Sequence, residues 1–283
     1  MQGTAERLHN RKLSGLLHPQ AVLSCQDMSS CKSFGFPRVI PFGERRVSTY
    51  KLCLIAGMYF GTLTCAAVAE RNGIDPIPME LTVVGCATAG LVGARLFHLM
   101  LFARRYRGAG FFQSAWDTSL GGAGLFGGLV VIVLLSPLAA RILTLPFGIF
   151  WDYLLISMVV GAIWTRLGCF CNGCCGGRET SARFAFRWHN QRGERKKRIP
   201  VQLLEIGWIA LAGGALIYLF DKPHPVGALA LGILAWYGAG RFLLEPLREE
   251  PDIAFSTRVN QVIAAIVSLI AGFWLLVLLY ARR

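Results

Sequence analysis

FGIFWDYLLISMVVGAIWTRLGCFCNGCCGGR, residues 147–178, decides how the rest of the chain is read. From Phe147 to Thr165 the run is apolar apart from Asp152 and the hydroxyls of Tyr153, Ser157 and Thr165, long enough as a helix to cross about 30 Å of hydrocarbon. The remainder, RLGCFCNGCCGGR (166–178), turns rich in glycine and cysteine and is bracketed by Arg166 and Arg178. Glycines let backbone amides approach a ligand and permit left-handed turns. A spanning helix that ends in a glycine-rich turn flanked by arginines is therefore suited to hold an anion at the lipid boundary.

Outward from this stretch the apolar length recurs near 51–69, 80–102, 121–140, 146–166, 200–220, 226–246 and 258–280. Hydrophobic residues make up 54% of the 283, mean hydropathy is +0.50, and charged residues fall to 16%, against about 25% in soluble domains. The expected fold is all-α: a polytopic membrane protein of about seven transmembrane helices, forming one domain over residues 36–283. Residues 1–35 are polar, basic and without hydrophobic periodicity, which reads as a disordered arm. No cleavable signal is read there, and a misplaced start codon accounts for the arm equally well.

The net charge of +13 is unevenly placed. Arginine and lysine crowd into the arm, into 103–120 (Arg104, Arg105, Arg107), into 166–198, and into the connection after Leu247. With seven spans these segments share one side. The positive-inside bias would make that side cytoplasmic, whereas attraction to anionic headgroups, about 1 kcal/mol per basic residue, explains the same pattern at either face. Nucleic-acid binding, the other usual reading of a basic chain, is disfavoured. The charges flank spans rather than sit on a soluble fold with stacking aromatics.

Ionisable residues inside apolar spans cost about 2.5–3.5 kcal/mol each on insertion scales, so each needs a reason. Arg95 and His98 lie three apart, above a groove lined by Gly90 and Gly93. Asp152 enters the fourth span, and Glu205 enters the fifth three residues after Gln202. Arg241 and Glu245 are four apart in the sixth. Arg248 continues their stripe, although Pro246 should interrupt that turn and can aim Arg248 elsewhere. Ion pairing that only fastens helices would explain Glu205 or Asp152 alone, but a bundle that needs only packing uses small residues and hydroxyls rather than guanidinium groups. Arginine's planar fork matches phosphate, and the ligand expected from these residues is a phosphodiester headgroup.

The run RLGCFCNGCCGGR resembles the signature loop of the prolipoprotein diacylglyceryl transferase family, in the variant that reads GCF and GCC. Other segments resemble that family in order. They are YKLCLIAGMYFG from Tyr50, ERNGIDP from Glu70, GARLFHL from Gly93, WD at 116–117, the paired glycines of 121–128, Asp152, P-x-Q-x-x-E from Pro200 and YGAGRFLLEPLR from Tyr237. The resemblance implies a seven-helix bacterial inner-membrane enzyme whose substrates are phosphatidylglycerol and preprolipoproteins. It would transfer the diacylglyceryl group to a lipobox cysteine thiol and release glycerol phosphate. Carried over by position, it implies catalytic roles for Arg166, Arg241, Glu245 and Tyr50, with Glu245 orienting Arg241. The lipid would be bound by Arg166, Asn172, Gly173, Gly177, Arg95 and Arg241, with Asp152 in support. It also implies a signature loop at the periplasmic or outer face, against the charge bias.

One departure concerns the proton acceptor. Phe126 stands where characterised relatives carry a histidine proposed as base, and a phenylalanine accepts no proton. A free thiol with a pKa near about 8.5 is only a few per cent ionised at pH 7, so His98 on the neighbouring span becomes the nearest candidate, beside the packing role a helical histidine usually has.

No cofactor and no metal are expected. Cys169, Cys171, Cys174 and Cys175 fall within one short run, but C-x-C-x-x-C-C lacks the separated C-x-x-C pairs of tetrahedral sites, and a disulfide is the somewhat better reading. Cys53, Cys65 and Cys86 read as small apolar residues of the spans. The alternatives are a paralogue of the same fold with a different acceptor, a non-catalytic lipid-binding or transport protein, and a metal or redox sensor built on the cysteine run.

Overall fold

The computed structural model describes residues 32–33, 36–43, 45–101, 125–183, 185–189, 194–249, 253–254 and 257–282. Among them are seven long helices: α1 (Thr49–Arg71), α2 (Pro76–Leu101), α3 (Leu125–Ile142), α4 (Phe147–Asn172), α5 (Val201–Phe220), α6 (Ala228–Leu244) and α7 (Val259–Ala281). All but α3 are long and apolar enough to cross a membrane, and the protein is a multi-pass membrane protein. Large side chains left exposed, such as Leu269, Phe273, Trp274 and Leu276 on α7, belong to its lipid-facing surface. Helix α3 begins beside residues 102–124, which lie outside the described set together with residues 1–31 of the arm.

The all-helical expectation holds for the membrane part. What it omitted are four antiparallel hairpins, pairing β1 (Lys32–Ser33) with β2 (Phe36–Pro37), β3 (Val39–Phe42) with β4 (Arg45–Ser48), β5 (Phe186–His189) with β6 (Arg195–Arg198), and β7 (Ile253–Ala254) with β8 (Thr257–Arg258). All lie at or beyond the ends of the apolar runs. Within the basic stretch, β5 and β6 pair as strands with Trp188 and Arg198 buried and Arg187 and Lys196 exposed.

Helix α4 is the centre of the bundle. It lies against α1 and α5 and touches α3 and α6, and Phe150, Tyr153, Leu154 and Ile156 are buried in the main apolar core. Small residues allow this closeness: a Cβ on Gly57 of α1 would stand 2.8 Å from Trp164 Cβ, and one on Gly61 would stand 2.7 Å from the Ser157 carbonyl oxygen. In the same way Gly90 of α2 accepts Ile132 of α3. The glycine groove read beneath Arg95 is therefore a helix–helix contact.

At the end of the bundle away from the signature loop, Asp152 of α4 accepts hydrogen bonds at 2.8 Å from the Gly227 and Ala230 amides, which open α6. A carboxylate on the free amides of a helix start satisfies orphan donors and opposes the helix dipole. Asp152 lies fourteen residues before Arg166, about 21 Å along the helix, and its hydrogen bonds fasten α4 to the start of α6. Asp152→Ala is expected to lower stability by about 1–3 kcal/mol. Thermal unfolding of the purified protein would register this, while activity per folded molecule stays near that of the parent.

Candidate functional site

At the other end, the signature loop starts where α4 stops. Gly173, at φ +72, is left-handed; its N–H donates to the Phe170 carbonyl at 3.2 Å, and the Cys174 N–H donates to the Cys169 carbonyl at 3.1 Å. These paired bonds close the helix and fold the chain back over its last turn. The returning strand is held on both sides. Gly177 N–H donates to Ile199 O at 3.0 Å, Arg178 N–H to Leu247 O at 2.8 Å, and Glu249 N–H to Gly176 O at 3.1 Å. Gln202, fully buried at the start of α5, donates from Nε2 to the Cys174 carbonyl at 2.6 Å. Above the loop sits the β5–β6 hairpin, anchored by Trp188 near Phe170 and by buried Arg198, which pairs with Glu249.

Gly177 is a close-approach position: a Cβ there would stand 2.6 Å from the Ile199 carbonyl oxygen and 2.7 Å from its Cβ. Gly177→Ala is expected to push the loop off α5 and cost about 1–3 kcal/mol. Limited proteolysis at the loop, compared with the parent, would reveal the displacement.

Three arginines from separate segments converge on one carboxylate below the loop. Arg166 Nε lies 2.9 Å from Glu205 Oε2, Arg241 Nη1 lies 2.7 Å from Glu205 Oε1, and Arg248 Nη1 lies 3.9 Å from the same oxygen. Arg241 also reaches Glu245 Oε2 at 2.9 Å. The carboxylates are almost wholly buried, with 4% and 1% of their side chains exposed, whereas the guanidinium side chains keep 14–15%. Three guanidinium groups against two carboxylates leave one positive charge, turned towards the loop end of the bundle. The space among Arg166, Glu205, Trp208, Tyr237 and Arg241 is about 10 Å³, room for at most one water molecule.

The sequence reading gave Glu205 no role in the site, and it is the hub. Pro246 left open whether Arg248 stays on the stripe or points elsewhere. The chain tightens there into a 3₁₀ turn, Glu245–Leu247, which keeps Arg248 facing Glu205. The reading also missed Trp208 and Trp236, which stack at 4.4 Å and each donate an indole N–H to the other's carbonyl at 2.9 Å. This reciprocal pair fixes α5 against α6 one turn from Glu205. Counting charge would have pointed to Glu205: more arginines than Glu245 could serve call for another buried carboxylate.

The other candidate residues are distributed as follows. Tyr50 opens α1 beside Gly168, where an added Cβ would stand 3.3 Å from its ring, and it interacts electrostatically with Arg166 and with the thiols of Cys169, Cys174 and Cys175. Asn172 is a side-chain partner of the Cys174 thiol. Arg95 lies half-buried on α2. The side chains of His98 and Phe126 lie outside the described residues. In the loop, hydrogen bonds with Cys169 and Cys174 hold the Cys175 thiol far below the usual thiol range, with Arg248 and Arg166 adding to the effect against burial.

A multi-helix membrane fold with a buried arginine–carboxylate cluster, roofed at one end by a glycine- and cysteine-rich loop, marks a polytopic membrane protein with a charged site at one end of its bundle. The chain belongs to the prolipoprotein diacylglyceryl transferase family, whose model matches residues 37–278. It is similar to proteins called phosphatidylglycerol–prolipoprotein diacylglyceryl transferase from several bacteria. It is 25% identical to the one from Paenarthrobacter aurescens strain TC1 over 253 residues, covering 82% of this chain and 78% of that protein. It is 25% identical to the one from Streptococcus pneumoniae strain JJA over 254 residues, covering 87% and 94%. Over a shorter stretch of 167 residues, 57% of this chain and 61% of the relative, it is 35% identical to the one from Bordetella avium strain 197N.

Proposed function

We propose that this protein transfers the diacylglyceryl group of phosphatidylglycerol to the cysteine thiol of a preprolipoprotein. The observation that supports this most is the surplus positive charge of the Arg166–Glu205–Arg241–Glu245–Arg248 cluster, at a helix exit beneath a glycine-rich loop. In the reaction a sulfur–carbon bond forms at the glycerol carbon that carries the phosphate. The carbon–oxygen bond to that phosphate breaks, the electron pair leaves with glycerol phosphate, and the thiol proton passes to a base or to solvent. Charge gathers on the phosphate, and preorganised donors at such a position typically supply about 3–4 kcal/mol each.

Arg166 meets Glu205 through Nε, which leaves its forked Nη edge for the phosphate. Arg241, held from both sides by Glu205 and Glu245, is fixed in orientation before the lipid arrives, so little reorganisation remains for the reacting complex. Asn172, Gly173 and Gly177 set the path of the loop over the headgroup, and Tyr50 is placed near the thiol's approach. Beside the α2–α3 contact an apolar groove lined by Gly85, Thr88, Ala89, Val92 and Leu96 offers acyl chains a place along the bundle. The signature end is assigned to the periplasmic or outer face, where its basic residues meet anionic headgroups.

The test is to incubate membranes containing the protein with labelled phosphatidylglycerol and a lipobox peptide, and with the same peptide carrying serine for cysteine. Label on the cysteine peptide alone supports the transferase. Label on neither, from a folded preparation, sinks it.

A further inference from the structure

The cysteine run does not behave as four equivalent residues. Cys171 is buried and has Cys53 of α1 as its electrostatic neighbour. The helix-closing turn at Gly173 carries the chain back so that Cys174 and Cys175 lie over Cys169, and the sulfur atoms of Cys169, Cys174 and Cys175 all fall within 4.8 Å of one another. Spacing argued against a tetrahedral four-thiol site; chain reversal brings three of the four together.

We propose that Cys169, Cys174 and Cys175 form a three-thiolate binding site for one thiophilic metal ion, copper(I) or zinc(II), at the edge of the arginine cluster. A trigonal site with metal–sulfur bonds of about 2.3 Å places its sulfurs about 4 Å apart, so a small contraction closes this group around an ion. Soft thiolates select copper(I) and zinc over the harder divalent ions. No further histidine, cysteine or carboxylate joins the group among the described residues. Copper(I) is satisfied by three sulfurs, whereas zinc completes its shell with a water.

Two more features point to the same site. Cys175 has φ +58, a left-handed conformation that costs a residue with a Cβ about 1–2 kcal/mol, in a segment where Gly173, Gly176 and Gly177 show that glycine is otherwise used freely. Strain of this kind persists where a side chain is needed in a particular direction, and here that side chain completes the trio of sulfurs. Three thiolates around an ion of charge one or two also carry net negative charge. Arg166 and Arg248 interact with Cys175, so the cations that would stabilise such a centre are in place. The assignment stands on the thiol geometry and is independent of the transferase reading.

The full-length protein, purified reduced in lipid nanodiscs, is to be loaded separately with copper(I) and with zinc(II) and passed through a desalting column. The expected result is one ion retained per chain, with X-ray absorption showing three sulfur neighbours and, for zinc alone, an added oxygen. Cys175→Gly suits the left-handed backbone, so it should unfold at the parent's temperature or above while binding the ion at least tenfold more weakly. Cys171→Ser should bind as the parent does. Retention of neither ion by the parent, equal retention by a variant with all three cysteines changed to serine, or a disulfide among the three in protein extracted without reductant would overturn the proposal.

Discussion

Replacing Arg241 with alanine is expected to reduce diacylglyceryl transfer by about 10²- to 10³-fold, the usual loss when one preorganised donor to a developing oxyanion is removed. The effect should fall on the chemical step more than on lipid affinity, because Arg166 and Arg248 still mark the site with positive charge. Arg241→Lys separates charge from shape. Arg241 uses different nitrogens for Glu205 and Glu245, and an ammonium cannot span both with the same fixed fork. The lysine variant should therefore recover only part of the loss. Rates with the labelled lipid and lipobox peptide would decide, and full activity in the lysine variant would remove Arg241's orientation from the mechanism.

Changing Glu205 to glutamine is the second large effect. The isostere preserves shape but withdraws the negative charge that Arg166 and Arg241 face at 2.9 and 2.7 Å. Removing one member of a buried ionic group costs about 3–5 kcal/mol, because the remaining charges are left uncompensated. Glu205→Gln should thus unfold at a markedly lower temperature and transfer poorly. Inorganic phosphate offers the same arginines an anion, so it should restore part of the lost stability in this variant and little in the parent. Thermal unfolding with and without phosphate checks the expectation, and an indifferent response would mean that the three guanidinium groups do not act on a shared anion.

The membrane architecture was legible because apolar runs of spanning length leave no other economical fold. The signature loop and its flanking arginines stood out for a related reason, since charge beside lipid is too expensive to be incidental. Glu205 was harder to weigh. A single carboxylate in an apolar helix looks the same whether it fastens two helices or arranges three arginines, and only the way α4, α5 and α6 meet distinguishes the cases. The direction of Arg248 was left open because a proline breaks an α-helix, whereas here it lies in a tighter turn that preserves the direction of the stripe. Asp152 could be read either as a helix fastener or as a supporting contact of the site. Its position early in α4, fourteen residues from Arg166, puts it towards the opposite end, on the amides that open α6. The hairpins escaped because short pairings such as Phe186–His189 with Arg195–Arg198 depend on what covers Trp188 and Arg198 rather than on a long periodic signal.

Helices α4 and α6 run parallel and are tied twice, by Asp152 to the Gly227 and Ala230 amides and by Arg166 and Arg241 through their shared Glu205. The two ties act like the jaws of a caliper. Adding or deleting a single residue between them would turn everything beyond it by about 100° and slide it by about 1.5 Å, so only one jaw could stay closed. Insertions and deletions in this lineage should accordingly collect in the connecting loops and spare the stretches from Asp152 to Arg166 and from Ala230 to Arg241, whatever substitutions those stretches accept.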